Sequence, residues 1–374
     1  MTRKFRPLAV WLLALSLALA GCATVPQDDA AVARNVAAAT SVLPDRALQD
    51  HLLALDPEHV SDQDVQQVLA KGPTPRIMLL HGGIYPVHLL MESFGRFLSG
   101  MGYPEARIRD PGDNGWSYSP YEDSEKLAGI LAWDYERTGL RPMLIGHSQG
   151  GMQAVKVLHE LAGHFHGSLR VFDPTTRNFE DRTTIVDPYT HAERPVIGIS
   201  ASYASVVGAG GAAFLLPNQW SMLDKLQSIP DTVRDFTGFF IGVDLVAWNL
   251  SGAGESFRPN GSAKVRNVEL PATYNHVFLP LVAPLAREPE VRDWINTYVP
   301  GDQRDTSTLP GDAALHVLWA ADVWYSVKKH WCLEAQRWVR AQREKPAQRS
   351  SVPGEGQVAR RGVPSAAALA RLVE

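Results

Sequence analysis

Cysteine is nearly absent, with only Cys22 and Cys332 in 374 residues. Two are too few for a disulfide scaffold or a thiolate metal cage. Neither sign of charge is in excess. The 36 Lys and Arg face 40 Asp and Glu, a net charge of -4, so nothing calls for a nucleic-acid or polyanion partner. No internal repeat occurs at solenoid or propeller spacing. The 30 Gly and 26 Pro are scattered, which excludes a collagenous or low-complexity chain. Past the first two dozen residues, no apolar run free of charges and breakers is long enough to span a bilayer. At 45% hydrophobic, the chain can bury one large core or two modest ones.

The first residues have a different character. Arg3, Lys4 and Arg6 precede an apolar stretch over 8–20, and Leu19-Ala20-Gly21-Cys22 follows. That order resembles the signal peptide and lipobox of bacterial lipoproteins. The resemblance implies that residues 1–21 are removed and that Cys22 is diacylated on sulfur, with 22–45 as a membrane tether. Several acyl chains supply the membrane affinity that a single chain cannot. Ala23 stands where inner-membrane lipoproteins often carry Asp, so the expected location is the bacterial cell envelope, at the outer membrane. An ordinary secretory signal with an incidental cysteine is the alternative. Cys332, between Trp331 and Leu333, then reads as a small buried hydrophobe.

From residue 46 the pattern alternates. A helical segment over 48–70 precedes the apolar run Ile77-Met78-Leu79-Leu80. Helices are expected over 89–98, 124–137 and 152–162, and strands over 106–109, 143–145, 196–200, 238–242 and 265–270. Short, continuous apolar strands separated by helices predict an α/β fold: a mostly parallel central sheet with helices on both faces, spanning 46–310. Two insertions interrupt it. The first, 163–195, contains a hairpin pattern with Asp173-Pro174 and Arg177-Asn178 at its turn. The second, 203–235, is apolar and then helical around 220–226, and reads as surface decoration or as a cap over a site. Residues 311–343 form an amphipathic helix whose stripe of Trp319, Val323, Val327, Trp331, Ala335 and Trp338 should dock on the core. The Arg-, Pro-, Gly- and Ser-rich segment 344–374 is expected to be disordered.

Chemistry concentrates at Gly146-His147-Ser148-Gln149-Gly150, directly after one expected strand and before a helix. A hydroxyl at the apex of a strand–turn–helix needs a strained backbone, and the flanking glycines allow the close approach. The helix N-terminus behind it favours developing negative charge. His81-Gly82-Gly83 follows an earlier strand and could by itself be only a turn. His159, His164 and His166 lack a companion carboxylate or Cys at metal-site spacing, so no metal and no cofactor is expected.

Together, the elbow and the His-Gly loop resemble the α/β-hydrolase superfamily, and within it the lipase- and esterase-like proteins, over about 75–300. The resemblance implies that Ser148 is a nucleophile and that the N–H groups of Gln149 and Gly83 bind the oxyanion, with Gly82 as a substitute for Gly83. It also implies that the acid and then the base follow Ser148 in the chain. Asp244, at the end of the run Phe239-Phe240-Ile241-Gly242-Val243, fits the acid, with Asp235, Asp231 and Glu269 as alternatives. His276 fits the base, with His191, His316 and His330 as competitors. The implied activity is a serine hydrolase cleaving a small-molecule or lipidic carboxylic ester through an acyl-enzyme. An acyltransferase or thioesterase with the same triad is the second reading, and a non-catalytic binding protein on this fold the third. The chain departs from the pattern in showing no antiparallel strand pair before Ile77, and its insertions match nothing familiar.

Overall fold

The computed structural model describes residues 43–83, 87–209, 217–242, 256–302 and 304–351. Its centre is a five-stranded parallel sheet: β1 (Ile77–Leu80), β2 (Met143–His147), β3 (Ala201–Val207), β4 (Val233–Ile241) and β5 (Lys264–Leu270). The strands lie side by side in chain order, and every neighbouring pair is parallel. β1, β2 and β3 are buried along their whole length. Their unbroken apolar character follows, because a parallel strand covered on both faces has no solvent side to make polar.

Alternate residues feed two cores. Ile77, Leu79, Met143, Ile145, Tyr203 and Phe239 face one side; Met78, Leu80, Leu144, Ala204 and Phe236 face the other. The first face is covered by α1 (Arg46–Ala54), α2 (Asp62–Gln67) and α3 (Val87–Gly100). The second is covered by α4 (Ser124–Thr138) and α5 (Gln149–Leu161). Returning to the first face, α6 (Pro289–Asn296) is followed by the long α7 (Val317–Ser351). Trp319, Trp324 and Trp331 of α7 are fully buried. An indole of roughly 200 Å² contributes on the order of 5 kcal/mol of gross transfer free energy, so this helix belongs to the core.

Several expectations need correction. The helical segment over 48–70 is split, because Asp56-Pro57 interrupts it and Ser61 with Asp64 forms a new capping box. The strand expected over 106–109 is a single 3-10 turn, Glu105–Arg107. Arg107 there is buried and turned inward to an ion pair with Asp134. The strand expected over 196–200 lies further on, at Ala201–Val207. Ser202 and Ser205 disguised it, though both are buried in the sheet. The insertion drawn at 203–235 therefore takes in most of β3 and the start of β4, and is confined to the segment between them. Its expected helix is the short 3-10 stretch Pro217–Met222. Within 163–195 stand two small ribbons, Phe172–Asp173 with Asn178–Phe179 and Thr184–Val186 with Glu193–Pro195. The C-terminal helix starts later than expected and continues through Ser351, into the segment read as disordered. No described residue before β1 is in a strand.

The strand-start end of the sheet is fastened by buried ions. Arg76 and Arg107 grip the two oxygens of Asp134 at 3.0 and 2.9 Å, with all three side chains almost fully buried. Arg76 also donates to the Arg109 carbonyl and Arg107 to that of Thr74. Burial alone would raise the Asp134 carboxyl, but the two guanidiniums outweigh it and hold it below its ordinary range.

Candidate active site

Ser148 stands between β2 and α5 with φ 55 and ψ -125. A side-chain-bearing residue rarely adopts positive φ, and such strain, of order 1–3 kcal/mol, persists only where the surroundings enforce it. Here they do. The Ser148 N–H donates to the Val207 carbonyl at 2.8 Å, and its own carbonyl accepts from Gly151 at 2.9 Å. The glycines of the motif are needed for room. A methyl on Gly146 would collide with the Gly150 carbonyl oxygen and lie 2.6 Å from the Gly151 Cα. One on Gly150 would collide with the Leu80 carbonyl and lie 2.5 Å from that of His81. Strand and helix thus cross at backbone contact, with the serine at the apex.

The His81-Gly82-Gly83 loop leaves β1 beside this apex, since Leu80 is in register with Gly146. A methyl on Gly82 would sit 3.3 Å from the Ser148 Cβ, so the loop backbone lies against the serine. The His81 Nδ1 donates to the Gly82 carbonyl at 2.7 Å. A trans peptide points its C=O and N–H in opposite directions, so this bond also sets the aim of the Gly83 N–H. Burial lowers the His81 pKa, against a pull upward from the Gly82 carbonyl, which keeps the ring a neutral donor. Gln149 is the first residue of α5, so its N–H has no carbonyl one turn back to bond.

His276 is buried in the loop after β5. Asn275 caps that loop, accepting from the N–H of Val277 at 2.9 Å and of Phe278 at 3.2 Å. Tyr274 ties it to the start of α7, its hydroxyl accepting from Leu318 N–H at 3.2 Å. His147, the residue before Ser148, donates from Nε2 to the His276 carbonyl at 2.7 Å, and the two rings are 5.1 Å apart. The structure therefore gathers Ser148, Gly82, Gly83, Gln149 and His276 at the C-terminal edge of the sheet.

Asp244 and Cys22 lie outside the described residues. β4 ends at Ile241 and Gly242 follows, its N–H donating to Leu270. Among the alternative acids, Asp235 is in register with Tyr203, which is in register with Met143. Five residues of strand separate that level from Ser148, about 16 Å at the usual rise. Asp235 also pairs with His330 at 3.1 Å, which removes both from the site. Asp231 precedes β4 and binds Ser262. Glu269 alone of the three stands near the site's edge, next to the end of β4. His191 sits at a ribbon turn with φ 58. His159 and His164 approach Nδ1 to Nδ1 at 2.6 Å, and His166 meets Glu160 at 2.8 Å.

Two features at the site were not foreseen: the grip of His147 on the His276 loop, and Tyr121. The Tyr121 hydroxyl lies 2.9 Å from the Gly83 carbonyl and 3.0 Å from the Gln149 Oε1. The only advance signal was the pair Gln149 and Gln153, one turn apart on α5, with Gln153 bonding the adjacent Glu122 carbonyl at 2.8 Å.

A cavity of about 200 Å³ adjoins the loop, lined by His81, Asp110, Tyr118, Ser119, Glu122 and Lys126 among others. That lining is polar, where a lipidic ester would want an apolar one. A larger cavity of about 320 Å³, walled by Tyr203, Asp235, Lys264 and His330, opens toward the starting ends of the strands and so is not a chamber for Ser148. No protein-family model matches the chain, and no curated protein matches it by sequence.

Proposed function

We propose that this chain is a serine hydrolase of the α/β-hydrolase kind, cleaving carboxylic esters with Ser148 as nucleophile. The observation that carries this reading is the strained Ser148, φ 55, at a strand–helix apex with the Gly82 backbone against its Cβ. Strain without chemical use would be a pure loss of stability. His276 takes the Ser148 proton as Oγ attacks the ester carbonyl carbon. The N–H groups of Gly83 and Gln149 receive the oxyanion. As the C–O bond breaks, His276 returns the proton to the leaving alkoxide, and the acyl group remains on Ser148. Water, deprotonated by the same imidazole, then releases the acid and frees the serine.

The acid is assigned to Asp244, which would fix the tautomer of His276 and stabilise its imidazolium. Asp244→Asn is expected to lower kcat on the order of a thousandfold or more, whereas Glu269→Gln should leave it within a few-fold. Steady-state kinetics on p-nitrophenyl esters decides this, and the reverse pattern would move the acid to Glu269.

We further infer that Cys22 carries the lipid that anchors the protein in the bacterial cell envelope, at the outer membrane. Sulfur is the acceptor in that chemistry, so Cys22→Ser should abolish metabolic palmitate labelling and leave the precursor unprocessed. Equal labelling of both proteins would exclude the anchor.

The hydrolase reading is tested by a fluorophosphonate probe, which should label the wild type and not Ser148→Ala. Labelling that survives the substitution, or its absence from the wild type, would overturn it.

A further inference from the structure

The segment between α3 and α4 is held over the site from two sides. Tyr118 forms an isolated parallel bridge with β1, its N–H donating to Leu79 at 2.8 Å and its carbonyl accepting from His81 at 3.1 Å. Three residues on, Tyr121 reaches the elbow. On the other side α5 offers two glutamines one turn apart, and Gln153 binds the Glu122 carbonyl. The Gln149 side chain lies across Gly83 so closely that a Gly83 methyl would take the place of its amide oxygen.

A phenol carries one proton, so Gly83 O and Gln149 Oε1 cannot both receive it. Turning the Gln149 amide over presents its NH2 to the phenol and gives an ordered chain. The Gln149 NH2 donates to Tyr121, and the Tyr121 hydroxyl donates to the Gly83 carbonyl. In that arrangement the phenol both accepts and donates, and the Gly83 backbone is tied to the first residue of α5. Gly83 and Gln149 are the two residues whose N–H groups are assigned to the oxyanion. With His81 holding the Gly82 carbonyl on one side, a tie on the Gly83 carbonyl fixes the loop on both sides of the donor.

We propose that Tyr121 and the Gln149 side chain form a strap that sets the spacing of the two oxyanion donors, making Tyr121 a positioning residue. The inference rests on the hydrolase reading above. Preorganised donors act on the charge that develops in the transition state, and the ground-state ester gains little from them. Loosening the strap should therefore lower kcat and leave KM in place. The phenol is half-exposed and Tyr121→Phe removes only its oxygen, so the fold should not suffer.

The test compares wild type, Tyr121→Phe, Gln149→Met and the double variant. Each is measured for kcat and KM on p-nitrophenyl butyrate, for inhibition by a trifluoromethyl ketone, and for thermal midpoint. Tyr121→Phe is expected to lower kcat about tenfold, the weight of one hydrogen bond, with KM within twofold and the midpoint unchanged. The Ki of the ketone, which forms a tetrahedral adduct, should weaken by the same factor. The double variant should be no worse than the worse single one, because both cut one chain. Gly83→Ala, which must push the Gln149 side chain aside, should fall on the same line. An unchanged kcat in Tyr121→Phe overturns the strap, as does a change confined to KM or a Ki that does not follow kcat. A wild type that neither turns over esters nor takes a fluorophosphonate defeats the hydrolase reading itself, and the strap with it.

Discussion

Ser148→Ala is expected to lower ester hydrolysis by four to six orders of magnitude, the usual scale for loss of an activated serine. His276→Ala should cost nearly as much, and the double variant scarcely more, since the proposed mechanism has nucleophile and base act in one step. Additive losses would mean that His276 works elsewhere. A second substitution at Ser148 separates chemistry from folding. Glycine adopts positive φ without penalty, so Ser148→Gly should lose activity just as completely. It should also gain about 1 kcal/mol of stability, part of the strain that the serine endures at φ 55. Alanine, with the same Cβ problem, should gain nothing. Chemical denaturation of the three proteins reads this directly. If the glycine variant is no more stable than the alanine one, the elbow is not strained and the main support for a nucleophile is gone.

Asp134→Ala should be the most damaging substitution away from the site, at roughly 3–5 kcal/mol, because it leaves Arg76 and Arg107 charged and buried without their shared carboxylate. Arg46→Ala, which breaks an exposed pair with Asp50, should stay within about 0.5 kcal/mol. The pH dependence has a definite sign. The Asp134 pKa is depressed in the folded state relative to an ordinary 3.8. Its contribution is therefore present above that value and lost as pH falls through the lower, folded one. Wild-type stability should drop on acidification below about pH 4, and the Asp134→Ala curve should be flatter there. Urea midpoints at pH 3, 4, 5 and 7 provide the comparison. Parallel curves would remove Asp134 from the account.

Local signals in the sequence located the elbow well. Met143-Leu144-Ile145, two glycines and an apolar helix placed Ser148 because each neighbour in the chain is also a neighbour in space. The docking stripe of α7 was legible for the same reason, a periodicity contained in one helix. Failures came where distant residues decide. β3 was misplaced because Ser202 and Ser205 look like solvent-facing residues until the sheet closes round them. The 106–109 segment resembled a strand because nothing local says that Arg107 will turn inward to an aspartate 27 positions on. Tyr121 carried no motif at all; its meaning comes from Gly83 and Gln149, which the fold brings to it from either side.

The position of α7 bears on how the chain reaches this structure. Every strand of the sheet precedes Val317 in the sequence, yet the indoles that close one face of that sheet come after it. The helix also clasps the start of the domain, Gln336 donating to the Leu52 and Leu55 carbonyls and Lys328 to that of Val60. Contacts spanning more than 260 residues form late, because a long loop must close before any of them repays its entropy. A ribosome that has delivered only the first 310 residues has therefore delivered a sheet with one face still missing the indoles that complete its cover. The nascent chain should stay loosely packed, and sensitive to protease, until its last helix emerges. On the lipoprotein reading proposed above, the chain would thread a translocon before folding, and such lateness would work in its favour.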